Sequence, residues 1–164
     1  MERRRYWLFK SEPDEFSIDD LRRAPQGTQR WDGVRNYQAR NFLRDHVKIG
    51  DGVLFYHSST REPAVAGTAT IVREGYPDPT ASDPGSPYCD ENHDPSRPRW
   101  YSVNLCFESK FVTPLTRGVL AGHPVLSGMM VMRRGMRLSI QKVRATQWRA
   151  VLKLARKLSS KADE

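Results

Sequence analysis

Hydrophobic residues along the 164-residue chain fall into short stretches, some alternating with polar positions and some recurring at helical spacing. Tyr6 to Phe9 reads as a short buried strand. Ser17, with Asp20 three positions on, has the form of a capping box with Asp in place of Glu, and predicts a helix that Pro25 and Gly27 end. Trp31-Asp32-Gly33 reads as a turn. Ala39, Phe42, Leu43, His46 and Val47 recur at steps of three and four and predict an amphipathic helix. After the turn Ile49-Gly50-Asp51, the segment Val53 to His57 reads as a strand. Its Val53, Phe55 and His57 lie on one side and Leu54, Tyr56 and Ser58 on the other. A second strand runs from about Val65 to Val72, with Gly67 permitting a bend or bulge. Tyr101, Val103, Leu105 and Phe107 alternate with Ser102, Asn104, Cys106 and Glu108 in the cleanest half-buried strand of the chain. Pro114 to Leu120 and Leu126 to Met132 read as short helices on either side of Gly122-His123-Pro124, and Leu138 to Val143 as a last strand. Thr146 then caps a closing helix. Its Trp148, Val151, Leu152, Ala155 and Leu158 share one face, while Arg149, Lys153, Arg156 and Lys157 occupy the other.

Short strands mixed with short helices, without regular alternation, argue against a doubly wound sheet and point to an α+β class, a small curled or closed sheet flanked by helices. No internal repeat divides the chain, so residues 1–164 are expected to form one domain, long enough for a core without metals or disulfides. Phe42, Leu54, Phe55, Val103, Leu105 and Trp148 are assigned to that core. Residues 77–99 hold six of the eleven prolines and form a long loop, a kind of segment that is commonly functional or mobile.

Charge changes the picture more than overall composition does. The net charge is +8, yet residues 1–108 carry 15 Lys or Arg against 17 Asp or Glu. Residues 109–162 carry 12 Lys or Arg and no acid, an electropositive stretch suited to phosphates. Its basic residues span strands and turns as well as a helix, unlike an interfacial membrane anchor. No apolar run approaches the ~20 residues of a membrane span, and Tyr6-Trp7-Leu8-Phe9 is too short for a signal-peptide core, so a cytoplasmic protein is expected. Cys89 and Cys106 make no disulfide framework. Cys89 with Asp90, Glu91, His93 and Asp94 falls short of a four-ligand zinc pattern and reads as an acidic solvated loop, so neither metal nor cofactor is expected.

The densest chemistry lies in Trp31-Asp32-Gly33-Val34-Arg35-Asn36-Tyr37-Gln38-Ala39-Arg40-Asn41-Phe42-Leu43, where a large aromatic precedes a run of planar polar groups. Trp supplies a π-face for stacking, and amides can read a base edge. This segment resembles the EVE domain family, together with Tyr6-Trp7-Leu8-Phe9-Lys10-Ser11-Glu12-Pro13 and Gly50-Asp51-Gly52-Val53-Leu54-Phe55-Tyr56-His57-Ser58. The resemblance continues through Val65-Ala66-Gly67-Thr68-Ala69, Tyr76-Pro77-Asp78 and Arg137-Leu138-Ser139-Ile140-Gln141, and so covers nearly the whole chain. It implies a PUA-like β-barrel, similar to the YTH readers of methylated adenosine, with a pocket for a modified base. Lys10, Ser11 and Trp31 match the family's cavity motifs, and Leu138, Ser139 and Gln141 its last barrel strand.

The residues themselves suggest Trp31 as the aromatic wall with Tyr56 as neighbour, and Ser11, Asn36, His57 and Ser58 for the base edge, with Lys10 nearby. Arg133, Arg134, Arg137, Lys142 and Arg144 are candidates for flanking phosphates, and Arg35 and Arg40 for the nucleotide carrying the base. The partner is thus expected to be RNA or DNA, single-stranded or with a flipped base, and the protein a non-catalytic reader. Two alternatives stay open on the residues alone. One is a sequence-indifferent binder acting through its basic C-terminal half. The other is a small hydrolase in which Ser11, His57 and Asp32 or Glu12 form a triad, although no Gly-x-Ser-x-Gly elbow is present.

Overall fold

Each strand pairs where its pattern of buried side chains demands. In the computed structural model, which describes residues 3–162, β1 (Tyr6–Ser11) runs parallel to β3 (Gly52–His57) and antiparallel to β6 (Ile140–Val143). Strand β4 (Ala64–Pro77) joins β3 to the long β5 (Tyr101–Thr116), and a short β2 (Thr28–Trp31) borders β5. The sheet is six-stranded in the order β2-β5-β4-β3-β1-β6. The first and last two positions of the expected 1–164 unit lie outside the described residues.

The α+β class is as expected, but the sheet is not closed: β2 and β6 end it and do not pair with each other. It is strongly curled nonetheless. Four strand steps separate β2 from β1, roughly 19 Å in a flat sheet at ~4.8 Å per strand. Yet the Trp31 ring on β2 lies 5.7 Å from Phe9 on β1 and 5.6 Å from Phe55 on β3. The curl is helped by register breaks in β4, one of them at Gly67. A Cβ there would stand 2.2 Å from the Ser109 carbonyl, so only glycine admits the close approach.

Alternation along the strands produces two cores rather than one barrel interior. The concave side gathers Trp7, Phe9, Val53, Phe55, Ile71, Val103 and Leu105 with the helix residues Ile18, Leu21 and Leu43. The outer side gathers Leu8, Leu54, Tyr56, Val65 and Leu115 beneath Trp148 and Val151 of the closing helix. Of the six expected core residues, Leu54, Phe55, Val103, Leu105 and Trp148 are buried, and Phe42 is partly buried against the concave cluster.

The helices start where the sequence caps them. Ser17 Oγ accepts from the Asp20 N–H at 3.1 Å and Asp20 accepts from the Ser17 N–H at 2.8 Å, opening α1 (Ile18–Arg23). Asn36 caps α2 (Tyr37–Asn41), which continues as a wider π-type turn, Phe42–His46, rather than as one regular helix. The segment read as a helix from Pro114 is strand to Thr116, which then caps α3 (Arg117–Ala121), and Leu126 to Met132 forms two 3-10 turns. The last strand begins at Ile140, two residues later than expected. In the closing helix α4 (Ala145–Ala162), Thr146 is already inside. Gln147 instead reaches back to the Arg144 N–H at 2.9 Å.

Candidate functional site

At the C-terminal end of β1 the curled sheet leaves a cavity of ≈ 450 Å³. Lys10 and Ser11 enter it from β1, Trp31 from the end of β2, Ser58 from just beyond β3, and Ser139 from just before β6. Backbone hydrogen bonds hold these segments together: the Lys10 N–H donates to the Ser139 carbonyl and the Ser58 N–H to the Ser11 carbonyl, each at 2.9 Å. Trp31 is half-buried. Phe9, Phe16 and Phe55 surround it at tilted or edge-on angles, which fixes the ring as a wall.

The polar lining is of mixed sign. Lys10 Nζ donates to the Met136 carbonyl at 3.0 Å, and burial, assisted by the charge of Arg117, lowers its pKa from the usual lysine value. Arg30 pairs with Asp32 at 3.0 Å. Glu12 and Glu15 also line the cavity, and neither carboxylate joins an ion pair among the described residues. Carboxylates offer only acceptors, whereas Lys10 and the serine hydroxyls offer donors, so the cavity can match both halves of a planar heterocycle's edge.

A further wall comes from the 77–99 loop. Tyr88 lies over Gly33 so closely that a Cβ at that position would meet the phenol ring at 2.7 Å, and Gly33 also needs its positive φ of 76°. The loop is pinned by the buried Asp78, which accepts from the Gly33 N–H and from Arg35 Nη1, each at 2.9 Å. Burial alone would raise the Asp78 pKa. Hydrogen bonds from Thr80, Arg35 and the Gly33 N–H outweigh that and hold it below the usual carboxylate range.

Several expected site residues lie elsewhere. Tyr56 is 2% exposed and belongs to the outer core, on the opposite sheet face from Trp31; the alternation that put Phe55 beside the tryptophan required this. Asn36 spends its side-chain oxygen on the Ala39 N–H at 3.0 Å and faces solvent as a helix cap. His57 accepts from the Ile18 N–H at 3.1 Å, which ties α1 to β3, and burial lowers its pKa. Leu138 is buried in the concave core. Gln141 is 1% exposed, and its amide donates to the Leu138 carbonyl. None of these five lines the cavity. Ser11 Oγ donates to the Phe16 carbonyl at 2.6 Å while His57 is engaged with Ile18, so the hydrolytic triad is not assembled.

Arg35 lines the cavity but directs all its N–H donors at protein: the carbonyls of Val34 and Tyr88, the Asp78 carboxylate and the Thr80 hydroxyl. It is a clamp for the loop, with none of its donors left for phosphate. Arg40 is similarly drawn to Asn41 and the Arg99 carbonyl. Arg133, Arg134, Arg137, Lys142 and Arg144 are exposed, and none forms an ion pair among the described residues.

Sequence reading missed Tyr88, Phe16 and Glu15 as lining residues and weighed Glu12 only as a catalytic acid. For Glu12, Glu15 and Phe16 a signal existed, because Pro13 turns the chain directly after the cavity strand. For Tyr88 no local pattern distinguishes it within a proline-rich loop.

A family model described as the EVE domain matches residues 5–154. Human thymocyte nuclear protein 1 is 39% identical over 93% of this chain and 74% of its own length. A Pseudomonas syringae protein of known structure superposes with a TM-score of 0.85 at 49% identity, over 92% of this chain and 99% of its own. The human THYN1 protein, solved in complex with 5-methylcytosine-containing DNA, superposes with a TM-score of 0.84 at 38% identity, over 92% of this chain and 97% of its own. A YTH domain from Zygosaccharomyces rouxii, at 14% identity and a TM-score of 0.55, shares the fold. The expectation of a cytoplasmic protein does not stand against relatives from human, chicken and mouse that are named as nuclear proteins.

Proposed function

From the premise that this chain belongs to the EVE domain family, we propose that it is a non-catalytic reader of nucleic acid that captures a modified cytosine in the Trp31 cavity. The observation that carries this is the pairing of a fixed aromatic wall with unpaired carboxylates at one cavity. Stacking on Trp31 accepts any base and contributes roughly 1–3 kcal/mol. Glu12 and Glu15 supply the selection: cytosine presents an exocyclic amine at N4, which a carboxylate accepts, whereas uracil and thymine present a carbonyl oxygen there. Lys10, Ser58 and Ser139 supply donors for the remaining ring acceptors. Methylated cytosine is the first ligand to test because a relative of 38% identity was solved with DNA containing it. Burying one methyl is worth about 0.8 kcal/mol, only about fourfold in affinity, so discrimination of the methyl itself needs a close fit against Trp31 and Tyr88. Arg133, Arg134, Arg137 and Arg144 hold the flanking phosphates.

The test is binding to short single strands carrying 5-methylcytosine, cytosine, thymine or N6-methyladenine at two salt concentrations. A preference for methylcytosine that survives the higher salt is expected. Trp31→Ala should weaken that strand roughly 5- to 150-fold. Because this truncation also opens the concave core, the exposed double variant E12Q/E15Q serves as a second probe and should erase cytosine-over-thymine selection while leaving the fold intact. Equal binding to all strands, lost as salt rises, would instead support a sequence-indifferent binder acting through charge.

A further inference from the structure

The opposite end of β1 holds a second cavity, of ≈ 460 Å³, lined by Arg3, Arg4, Arg5, Tyr6, Trp7, His46 and Lys142 among others. Its charged lining is of one sign. Among the described residues none of Arg3, Arg4, Arg5 and Lys142 joins an ion pair. Asp51 lies behind the wall, 3% exposed, with its oxygens turned inward to the Arg5 and Lys48 N–H groups and the Trp7 indole.

Two of the cations are held in place rather than loose. Arg4 Nε donates to the Gly50 carbonyl at 2.8 Å, and its guanidinium lies 5.2 Å from the Tyr6 ring and 5.3 Å from the Trp148 ring, two rings that are themselves stacked at 4.6 Å. Both Nη groups of Arg4 have no protein acceptor among the described residues. Lys142 sits with its ammonium 5.4 Å over the Phe42 ring. Arg5 Nη1 approaches His46 Nδ1 at 3.5 Å. Positive charge gathered in a concavity whose neighbouring carboxylate, Asp51, is turned inward attracts anions, and a guanidinium fork fits phosphate oxygens.

We infer that this cavity is a second phosphate site, which seats the backbone of a bound strand several nucleotides away from the captured base. The inference takes its partner from the proposed reading function. The two cavities are joined by β1 and by the chain around β6, which contributes Ser139 to one and Lys142 to the other. Along β1 they are separated by roughly 17 Å, a distance that a trinucleotide centred on the base cavity does not cover but a longer strand does. A strand with its base at Trp31 therefore crosses Arg137 and Lys142 and reaches Arg5 only if it is long enough.

The experiment compares the wild type with the double variant R5Q/K142Q, which spares the stacked Arg4. The ligands are a 15-nucleotide single strand with a central 5-methylcytosine, its unmodified counterpart, and a trinucleotide carrying the modified base. On the long strands the variant should bind roughly 10- to 25-fold more weakly near 0.1 M salt, with a log–log salt slope shallower by about 1.4, the share of two lost phosphate contacts. Trinucleotide affinity and the ratio of modified to unmodified binding should not change. An unchanged slope on the long strands overturns the second site and leaves base reading intact. An equal loss on the trinucleotide overturns it too, because the cations would then act at the base cavity. If the wild type shows no preference for the modified strand, base reading falls, and the slope on the unmodified 15-mer still decides the phosphate site. Vesicles of phosphatidylglycerol form a further arm: capture by the wild type alone, with DNA binding unaltered, would overturn the site in favour of a lipid phosphate.

Discussion

The cavities at the two ends of β1 draw on the same two elements, β1 and the chain around β6, and are similar in volume, ≈ 450 and ≈ 460 Å³, but they differ in the charges they present. The Trp31 cavity mixes Lys10 and Arg30 with Glu12, Glu15 and Asp32 around an aromatic wall. The Arg3–Arg5 cavity holds permanent charge of one sign. A mixed lining sorts ligands by the pattern of donors and acceptors on a ring, and is weakly sensitive to salt. A lining of one sign attracts any phosphate and loses strength as salt rises. The walls differ as well. The first cavity depends on a loop pinned by one buried ion pair, whereas the second is framed by stacked rings and the start of the sheet.

That contrast can be broken at the pin. Asp78→Ala removes the carboxylate that holds Gly33 and Arg35, and leaves an arginine whose side chain is 23% exposed without its charge partner. A stability loss of about 3 kcal/mol is expected, the low end of the range for severing a buried pair, read from urea unfolding. Methylcytosine preference should fall with it, while the salt slope contributed by Arg5 and Lys142 stays. An equal fall in that slope would show that the cavities are not independent. The low pKa of Asp78 adds a pH test. Its folded-state value lies below the unfolded one, so its stabilisation is complete above the ordinary aspartate range and is lost as pH falls through the folded value.

A subtler change acts where Tyr88 meets Gly33. Gly33→Ala places a side chain at φ 76° and a Cβ 2.7 Å from the Tyr88 ring. The expected cost is more than about 1 kcal/mol. Tyr88 must swing out, so base selectivity should drop by more than the affinity for unmodified strands. The smallest effect concerns His57. Burial favours its neutral form, which accepts from the Ile18 N–H; a proton there would replace an acceptor with a donor. Its folded-state pKa lies below the unfolded value, so its contribution is complete above about 6.5 and fades as pH falls below that. Unfolding at pH 7.5 and 5.5 should show a loss that His57→Gln reduces, with the Arg3–Arg5 cavity unaffected.

Much of this was legible in particular residues. The alternation of Tyr101 to Glu108 marked β5, Ser17 with Asp20 marked α1, and Gly67 marked the bulge that lets the sheet curl. Trp31, Lys10, Ser11, Ser58 and Ser139 come together in one cavity. Tyr56 and Gln141 lie outside that cavity because strand alternation sets them opposite the Trp31 side. Arg35 could not have been read correctly. Nothing near it in sequence shows that the acceptors for its donors lie mainly at Asp78, Thr80 and Tyr88, more than forty residues on. Asn36 shows a similar ambiguity, because an asparagine before a helix serves as cap or as base reader with the same atoms.

Propensity, periodicity and charge are local properties of the chain, and they account for most of the elements, their buried faces and the segregation of charge toward residues 109–162. Which polar groups remain free to meet a ligand depends on long-range packing. That outcome depends on how the curled sheet brings distant donors and acceptors within hydrogen-bond range of one another: Arg35 finds partners and is consumed, while among the described residues Glu12, Glu15, Arg5 and Lys142 join no ion pair and stay available.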